Sequence, residues 1–246
     1  MGINIDKMKE KLQALESKGN NSYLKLQPGL TTVRILPTED GDPFKDFYFH
    51  YNLMDRGGAL CPKRNFGEDC AVCDFVSNLY QEGDDESKAL ASKMVAKQRF
   101  FSPVIIRGEE KEGAKVWSYS KTVYQELLKT VLDPDFGDIT SLDDGRDVKI
   151  EYIKETANGF PQTNLTVRPK ETPTAPKGMS EEEFTAILEG IPDFLTLNKR
   201  YTPDEMRGFL DTKMDSLSGD TSGSPEVVKG GKVTDVDTAL SELAAQ

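Results

Sequence analysis

The 246-residue chain holds three cysteines and one histidine, and all four fall between positions 50 and 73. No other feature constrains a fold so tightly. The pair in Cys70-Ala71-Val72-Cys73 has the compact spacing that lets two thiolates grip one ion at a helix N-terminus. With His50 and Cys61 it completes a set of one imidazole and three thiolates, a standard ligand set for one closed, tetrahedral, structural Zn2+. Zinc also supplies the charge that favours deprotonated thiols. The expected site staples a Gly-rich loop to the end of a strand. Three free thiols beside an unrelated histidine are the bland alternative. An odd cysteine count argues against a disulfide framework. A redox C-x-x-C leaves His50 and Cys61 unexplained.

A catalytic zinc needs an open coordination position and a nearby base. Zinc-dependent nucleobase deaminases carry H-x-E and P-C-x-x-C. Here Asn52 stands where that Glu would be, and Asp69 precedes the C-x-x-C. With no second histidine, acid–base chemistry has few candidates, and the chain reads as non-enzymatic.

Charge is unevenly placed. Residues 1–130 carry equal numbers of basic and acidic side chains, so the whole net charge of −11 lies in residues 131–246. A neutral first half can gather its cations into one groove, and an acidic second half can serve separately. No apolar run approaches the roughly 20 residues that cross a bilayer. Met1 to Lys18 is charged and lacks the apolar segment of a signal peptide. The expectation is a reducing cytoplasm and no membrane partner.

Along the chain, Ile5, Met8, Leu12 and Leu15 recur at helical spacing over residues 3–18. That helix either packs on its own domain or docks on a neighbouring protomer. Strands are expected at Ser22–Gln27, Thr31–Pro37 and Lys45–Leu53, the last dense in aromatics. Residues 54–70 read as loop. Helices are expected from near Cys70 to Tyr80, over 84–97 and over 120–132. Further strands fall at Gln98–Arg107, Lys115–Tyr119, 147–155 and 163–168, the last two as a hairpin around Asn158-Gly159. Residues 169–179 read as a Pro-rich linker. Ser180 with Glu183 forms a capping box, and Pro203 opens another short helix. Residues 214–233 have a disordered composition, and Val236 to Ala245 can form a last helix. The domain expectation is an arm at 1–20, a core at 21–169, a linker with short helices at 170–213 and a flexible acidic tail at 214–246.

A zinc ion that only staples must serve a surface. The flanking strands carry Tyr48, Tyr51, Phe101, Trp117 and Tyr119. Among them lie Arg34, Lys63, Arg64, Lys97, Arg99, Arg107, Lys115 and Lys121. Stacking of bases on rings inside a basic groove is how single strands are held. Half of these rings must be core, and alternation assigns Phe47 and Phe49 to it. A zinc-stapled protein-interaction adaptor of a replisome or virion, indifferent to nucleic acid, is the competing reading.

Several segments together resemble one family. They are Val33-Arg34-Ile35-Leu36-Pro37, the His50, Cys61, Cys70 and Cys73 pattern, Lys97–Gly108, and Gly113–Leu128 around Val116-Trp117-Ser118-Tyr119. In order and spacing, from about residue 22 to 168, they resemble the single-stranded DNA-binding (helix-destabilising) replication protein of T-even-type phages and their marine relatives. The resemblance implies an α+β fold. Its core would be an OB-fold, a five-stranded barrel-like sheet, with an inserted zinc-binding subdomain at about 50–80 and helical additions. It implies largely sequence-independent, cooperative binding of single-stranded DNA in a cleft between the two, with self-association along the strand. Such a protein protects single strands and removes their secondary structure in phage DNA replication, recombination and repair, in the cytoplasm of the infected bacterial host. It also contacts replication and recombination proteins through an acidic C-terminal tail. Two features depart from the family pattern. Residues 1–20 are longer and charge-mixed, with Lys7, Lys9 and Lys11 set against Asp6, Glu10 and Glu16, and the tail is only mildly acidic.

Overall fold

The computed structural model describes residues 22–54, 57–156 and 159–217. The expected helix at 3–18, Asn158 of the expected hairpin turn and the tail beyond 217, including Val236 to Ala245, lie outside the described residues. The elements in chain order are β1 (Gly29–Ile35), β2 (Lys45–Tyr51), β3 (Gly58–Leu60), α1 (Pro62–Phe66), α2 (Ala71–Glu82) and α3 (Asp85–Met94). They continue with β4 (Lys97–Ile106), a 3-10 turn (Glu110–Glu112), β5 (Lys115–Tyr119), α4 (Lys121–Val131), β6 (Arg146–Ile153), β7 (Gln162–Glu171), α5 (Glu181–Glu189) and α6 (Pro203–Leu217).

The chain forms two compact units. Among the described residues, one takes 22–46 together with those of Arg99–Leu197, and the other takes those of Phe47–Gln98 together with 198–217. The chain passes between them within β2, within β4 and again after Leu197.

In the first unit β1 is a central strand. Val33 pairs with Ile106 of β4 on one side and Val148 of β6 on the other, both antiparallel. A strand flanked on both edges exposes little, and Val33, Arg34 and Ile35 are fully buried. Side chains alternate across a strand. Val33 and Ile35 therefore enter the main core with Phe100, Val104, Trp117, Val123, Leu127, Val148 and Ile150. On the other side of the sheet Leu36 and Ile105 pack with Ile187 of α5. Helix α4 closes the main core with Val123 and Leu127, which sit one turn apart on one face.

The expected OB-fold is overturned. The seven strands run in the order β3-β2-β4-β1-β6-β7, with β5 added on β4. Among the described residues no ladder joins β7 back to β3, so the sheet is open rather than a closed five-stranded barrel. Val104 of β4 pairs with both Ile35 of β1 and Lys115 of β5. Strand β4 thus serves as a branch point rather than as one stave of a barrel. Closure needs a fixed tilt and stagger between strands far apart in sequence, and local alternation carries no record of either. The α+β class stands.

Three other expectations change. Ser22–Gln27 makes only a parallel bridge, Tyr23 with Val116, rather than a full strand. The stretch read as linker is anchored, because β7 runs to Glu171 and Thr174 is fully buried. The stretch read as loop contains β3 and α1.

The second unit has its own core. Leu53, Ala59, Val72, Val76, Leu79, Leu90 and Met94 gather there with Met206 and Leu210 of α6. Helix α3 begins on Asp84, whose carboxylate accepts from the Ser87 backbone N–H at 2.7 Å, an N-cap bond that satisfies an otherwise unpaired helix donor.

Candidate metal centre and nucleic-acid surface

Four donors converge in the second unit. His50 sits on β2 opposite Ala59 of β3. Cys61 is the N-cap of α1, Cys70 is the N-cap of α2, and Cys73 lies in the first turn of α2. Both helices therefore aim their N-terminal ends at the thiols, where the helix dipole favours thiolate. Cys61 Sγ also accepts from the Arg64 backbone N–H at 3.4 Å.

The four ligand atoms all lie within 4.8 Å of one another. His50 Nε2 is 3.5 Å from both Cys70 Sγ and Cys73 Sγ, and Cys61 Sγ is 3.4 Å from Cys73 Sγ. Bond lengths in a tetrahedral zinc site place nitrogen and sulfur ligands about 3.5 Å apart and two sulfurs about 3.8 Å apart. The thiols are free and three of the four residues are buried. His50 Nδ1–H donates to the Met94 carbonyl oxygen at 2.9 Å. That outer bond fixes the tautomer that leaves Nε2 open to a metal. The donor set fits one structural Zn2+ with no open position.

Burial pulls His50 down, but its bonds to Cys61 and Cys70 outweigh this and raise it to about 9. Cys70 is driven down by its bonds to Cys61 and Cys73, while those same kinds of contact drive Cys73 up.

The site also organises what surrounds it. Asn65 of α1 donates to the Tyr48 and Cys61 carbonyls at 2.7 and 3.0 Å and accepts from the Tyr48 N–H at 2.9 Å. This clasp ties α1 to β2. Helix α1 ends at Gly67, whose φ of 72° is a left-handed conformation that suits glycine. Lys63 and Arg64 are exposed on α1. Arg64 stands over the half-buried Tyr48 ring at 5.0 Å, and Lys63 bridges to Asp74 at 2.9 Å. Tyr51 is half-buried and stacks on Phe49 at 6.0 Å. Lys97 is exposed, with its ammonium on the Ser92 carbonyl. Arg200, which sequence reasoning missed, bonds Glu68 and lies over Phe66 at 4.1 Å.

The first unit treats its expected contact residues differently. Arg99 is half-buried and Lys121 is exposed. Lys115 is ion-paired to Glu112, and Arg107 to Asp147 at 2.8 Å. Arg34, expected to meet phosphate, is fully buried and held by Asp147, Thr172, Thr174 and Ser141. Its guanidinium has no face left for a strand. Phe101, Trp117 and Tyr119, expected as stacking rings, are only 4%, 1% and 3% exposed. Tyr119 hydrogen-bonds Ser102 at 2.7 Å, and burial raises its pKa. These rings are buried: Trp117 lies tilted on Tyr119 at 4.4 Å, and Phe101 meets Tyr23 edge-on at 6.5 Å. Alternation along β5 cannot say which face meets a second layer.

Among the described residues no helix is long and apolar enough to cross a membrane. Residues 27–226 match the family described as gp32 DNA binding protein like. No curated protein matches the chain.

Proposed function

The chain belongs to the gp32-like family, whose members are non-catalytic single-stranded DNA-binding replication proteins, and on that premise we propose which of its side chains meet the strand. In the second unit, phosphates meet Lys63, Arg64 and Lys97, and bases stack on Tyr48 and Tyr51. In the first unit, phosphates meet Arg99 and Lys121. The observation that carries this reading is the link between metal and cation. Cys61 caps the helix that presents Lys63 and Arg64, and Arg64 lies over Tyr48. A ring beside a guanidinium offers a base one face and a phosphate one charge, with no need for a particular base. The zinc ion supplies charge neutralisation and rigidity. His50, Cys61, Cys70 and Cys73 hold it, and none of them touches DNA.

Binding of this kind is largely independent of sequence. It protects single strands and removes their secondary structure during phage replication, recombination and repair in the host cytoplasm. Self-association along the strand and recruitment of replication and recombination proteins through the C-terminal tail complete the proposal. A gel shift with oligo(dT) and with duplex DNA over a salt series tests it. The single strand should be retained far better than the duplex, and retention should fall as salt rises. Equal retention of both, or binding insensitive to salt, would count against it.

A further inference from the structure

A groove of about 510 Å3 lies beside α5 in the first unit. One wall is Met179, Glu183, Ala186, Ile187 and Gly190. Residues so spaced share one helical face, so this wall follows α5 from end to end. The facing wall is Lys111, Glu112, Gly113 and Ala114. The floor is apolar, because Ile187 packs with Leu36 and Ile105, and Ala114 and Met179 lie against them. A Cβ added at Gly113 would meet nothing within 4 Å, so the facing wall leaves room for a bulky neighbour. Grooves of this kind take the apolar face of an amphipathic helix.

The chain enters the first unit from the same side. Tyr23 bridges Val116 in parallel. The Val116 N–H donates to the Ser22 carbonyl at 2.6 Å, and the Leu24 N–H donates to the Val116 carbonyl at 2.9 Å. Chains paired in parallel run the same way, so the backbone arrives at Ser22 from the direction of Ala114 and Gly113. Val116 and Ala114 are about 7 Å apart along a strand. The link Gly19-Asn20-Asn21 spans up to about 10 Å, so residues 3–18 are tethered within reach of the groove.

The sequence of that segment, which lies outside the described residues, suits the groove in length and charge. As a helix its stripe from Ile5 to Leu15 would run about 15 Å, and the nine residues of α5 run about 14 Å. At helical spacing Lys9 and Lys11 flank the stripe, and Glu10 falls on the opposite side. The groove is rimmed by acid. Three glutamates open α5, and Glu110 and Glu112 belong to the 3-10 turn that ends in the facing wall.

We propose that the groove beside α5 is the docking site of residues 3–18 of the same chain. Ile5, Met8, Leu12 and Leu15 enter it, while Lys9 and Lys11 meet the acidic rim. The three-residue link holds the segment at an effective concentration of about millimolar, which favours the chain's own groove over a second copy's. The inference is independent of the single-strand reading.

The test uses the full-length chain without DNA. Unlabelled and isotope-labelled copies, each with Leu12 replaced by the photo-crosslinker p-benzoylphenylalanine, are mixed and irradiated, and the products are mapped by mass spectrometry. Position 12 should attach to residues 111–114 or 179–190, and only within one copy. Products joining labelled to unlabelled copies at these residues would overturn docking in cis, and attachment elsewhere would overturn the groove. Ala186→Arg, in the unmodified segment background, blocks the groove from an exposed helix position that a good helix former tolerates, so melting should be unchanged. Trypsin should then cut after Lys9 and Lys11 about tenfold faster than in wild type, because cleavage tracks the population of the open state. Equal cleavage rates in the two proteins would overturn the proposal.

Discussion

Replacing Arg34 by Met separates a structural arginine from a DNA contact. Arg34 lies on the central strand with no exposed surface. It donates to Asp147 at 3.1 and 3.0 Å, to Thr172 Oγ1 and O at 2.6 and 2.7 Å, to Thr174 Oγ1 at 2.8 Å and to the Ser141 carbonyl at 3.3 Å. Burial pushes its pKa down, and Asp147 partly restores it. Removing one partner of a buried ion pair costs about 3–5 kcal/mol. Asp147 keeps Arg107 at 2.8 Å and Arg168 at 3.9 Å, so its charge stays partly paired and the lower end, about 3 kcal/mol, applies. For a chain of this size that lowers Tm by about 6–12 °C. Thermal unfolding followed by Trp117 emission, in the same unit, measures it. Well below the melt, the salt slope for oligo(dT) should equal that of wild type. A Tm within about 1 °C of wild type, or a slope lower by about 0.7, would refute the reasoning and return Arg34 to the strand.

Chelating the metal should lower the melting temperature of the second unit and open residues 57–70 to limited protease, because a structural zinc contributes folding energy directly. Met206→Ala should destabilise that unit by about 2–5 kcal/mol in denaturant unfolding, since a fully buried methionine leaves a cavity. Gly145→Ala should cost about 1–3 kcal/mol, because the added Cβ would lie 2.3 Å from the Ser141 carbonyl oxygen and 2.8 Å from Arg34 Nη1.

The metal centre was legible because its ligands are the only histidine and the only cysteines of the chain. Rare residue types need no pairing partner to be noticed. Most helices and strands were legible for a related reason, since apolar periodicity is written locally. The hairpin from Arg146 to Glu171 and the strand Lys115–Tyr119 follow their patterns closely. Sheet topology was not legible. Whether β7 returns to close a barrel depends on register between distant strands, and the two alternatives share one alternation pattern. Exposure misled in the same way. Arg34 alternates with Val33 and Ile35 as a surface residue would, but helix α5 and the Thr172–Thr174 segment cover that side of the sheet. The short α1 was missed because glycines flank it on both sides and charged residues crowd its surroundings. Its signals were Cys61 as a cap, Pro62 at the first helical position and Gly67 after the end. The Asn65 clasp left no pattern, since a single side chain meeting the backbone of Tyr48, 17 residues away, has no periodicity.

On this reading a zinc-held helix presents cations to a single strand. Its most direct test is the salt dependence of oligo(dT) binding for wild type and for the double variant Lys63→Ala, Arg64→Ala, both carrying zinc. Two lost phosphate contacts should reduce the slope by about 1.4, while zinc content and melting temperature stay at wild-type values. An unchanged slope at unchanged zinc content would contradict the account, because the helix held by Cys61 would then be scaffold and the strand would lie elsewhere.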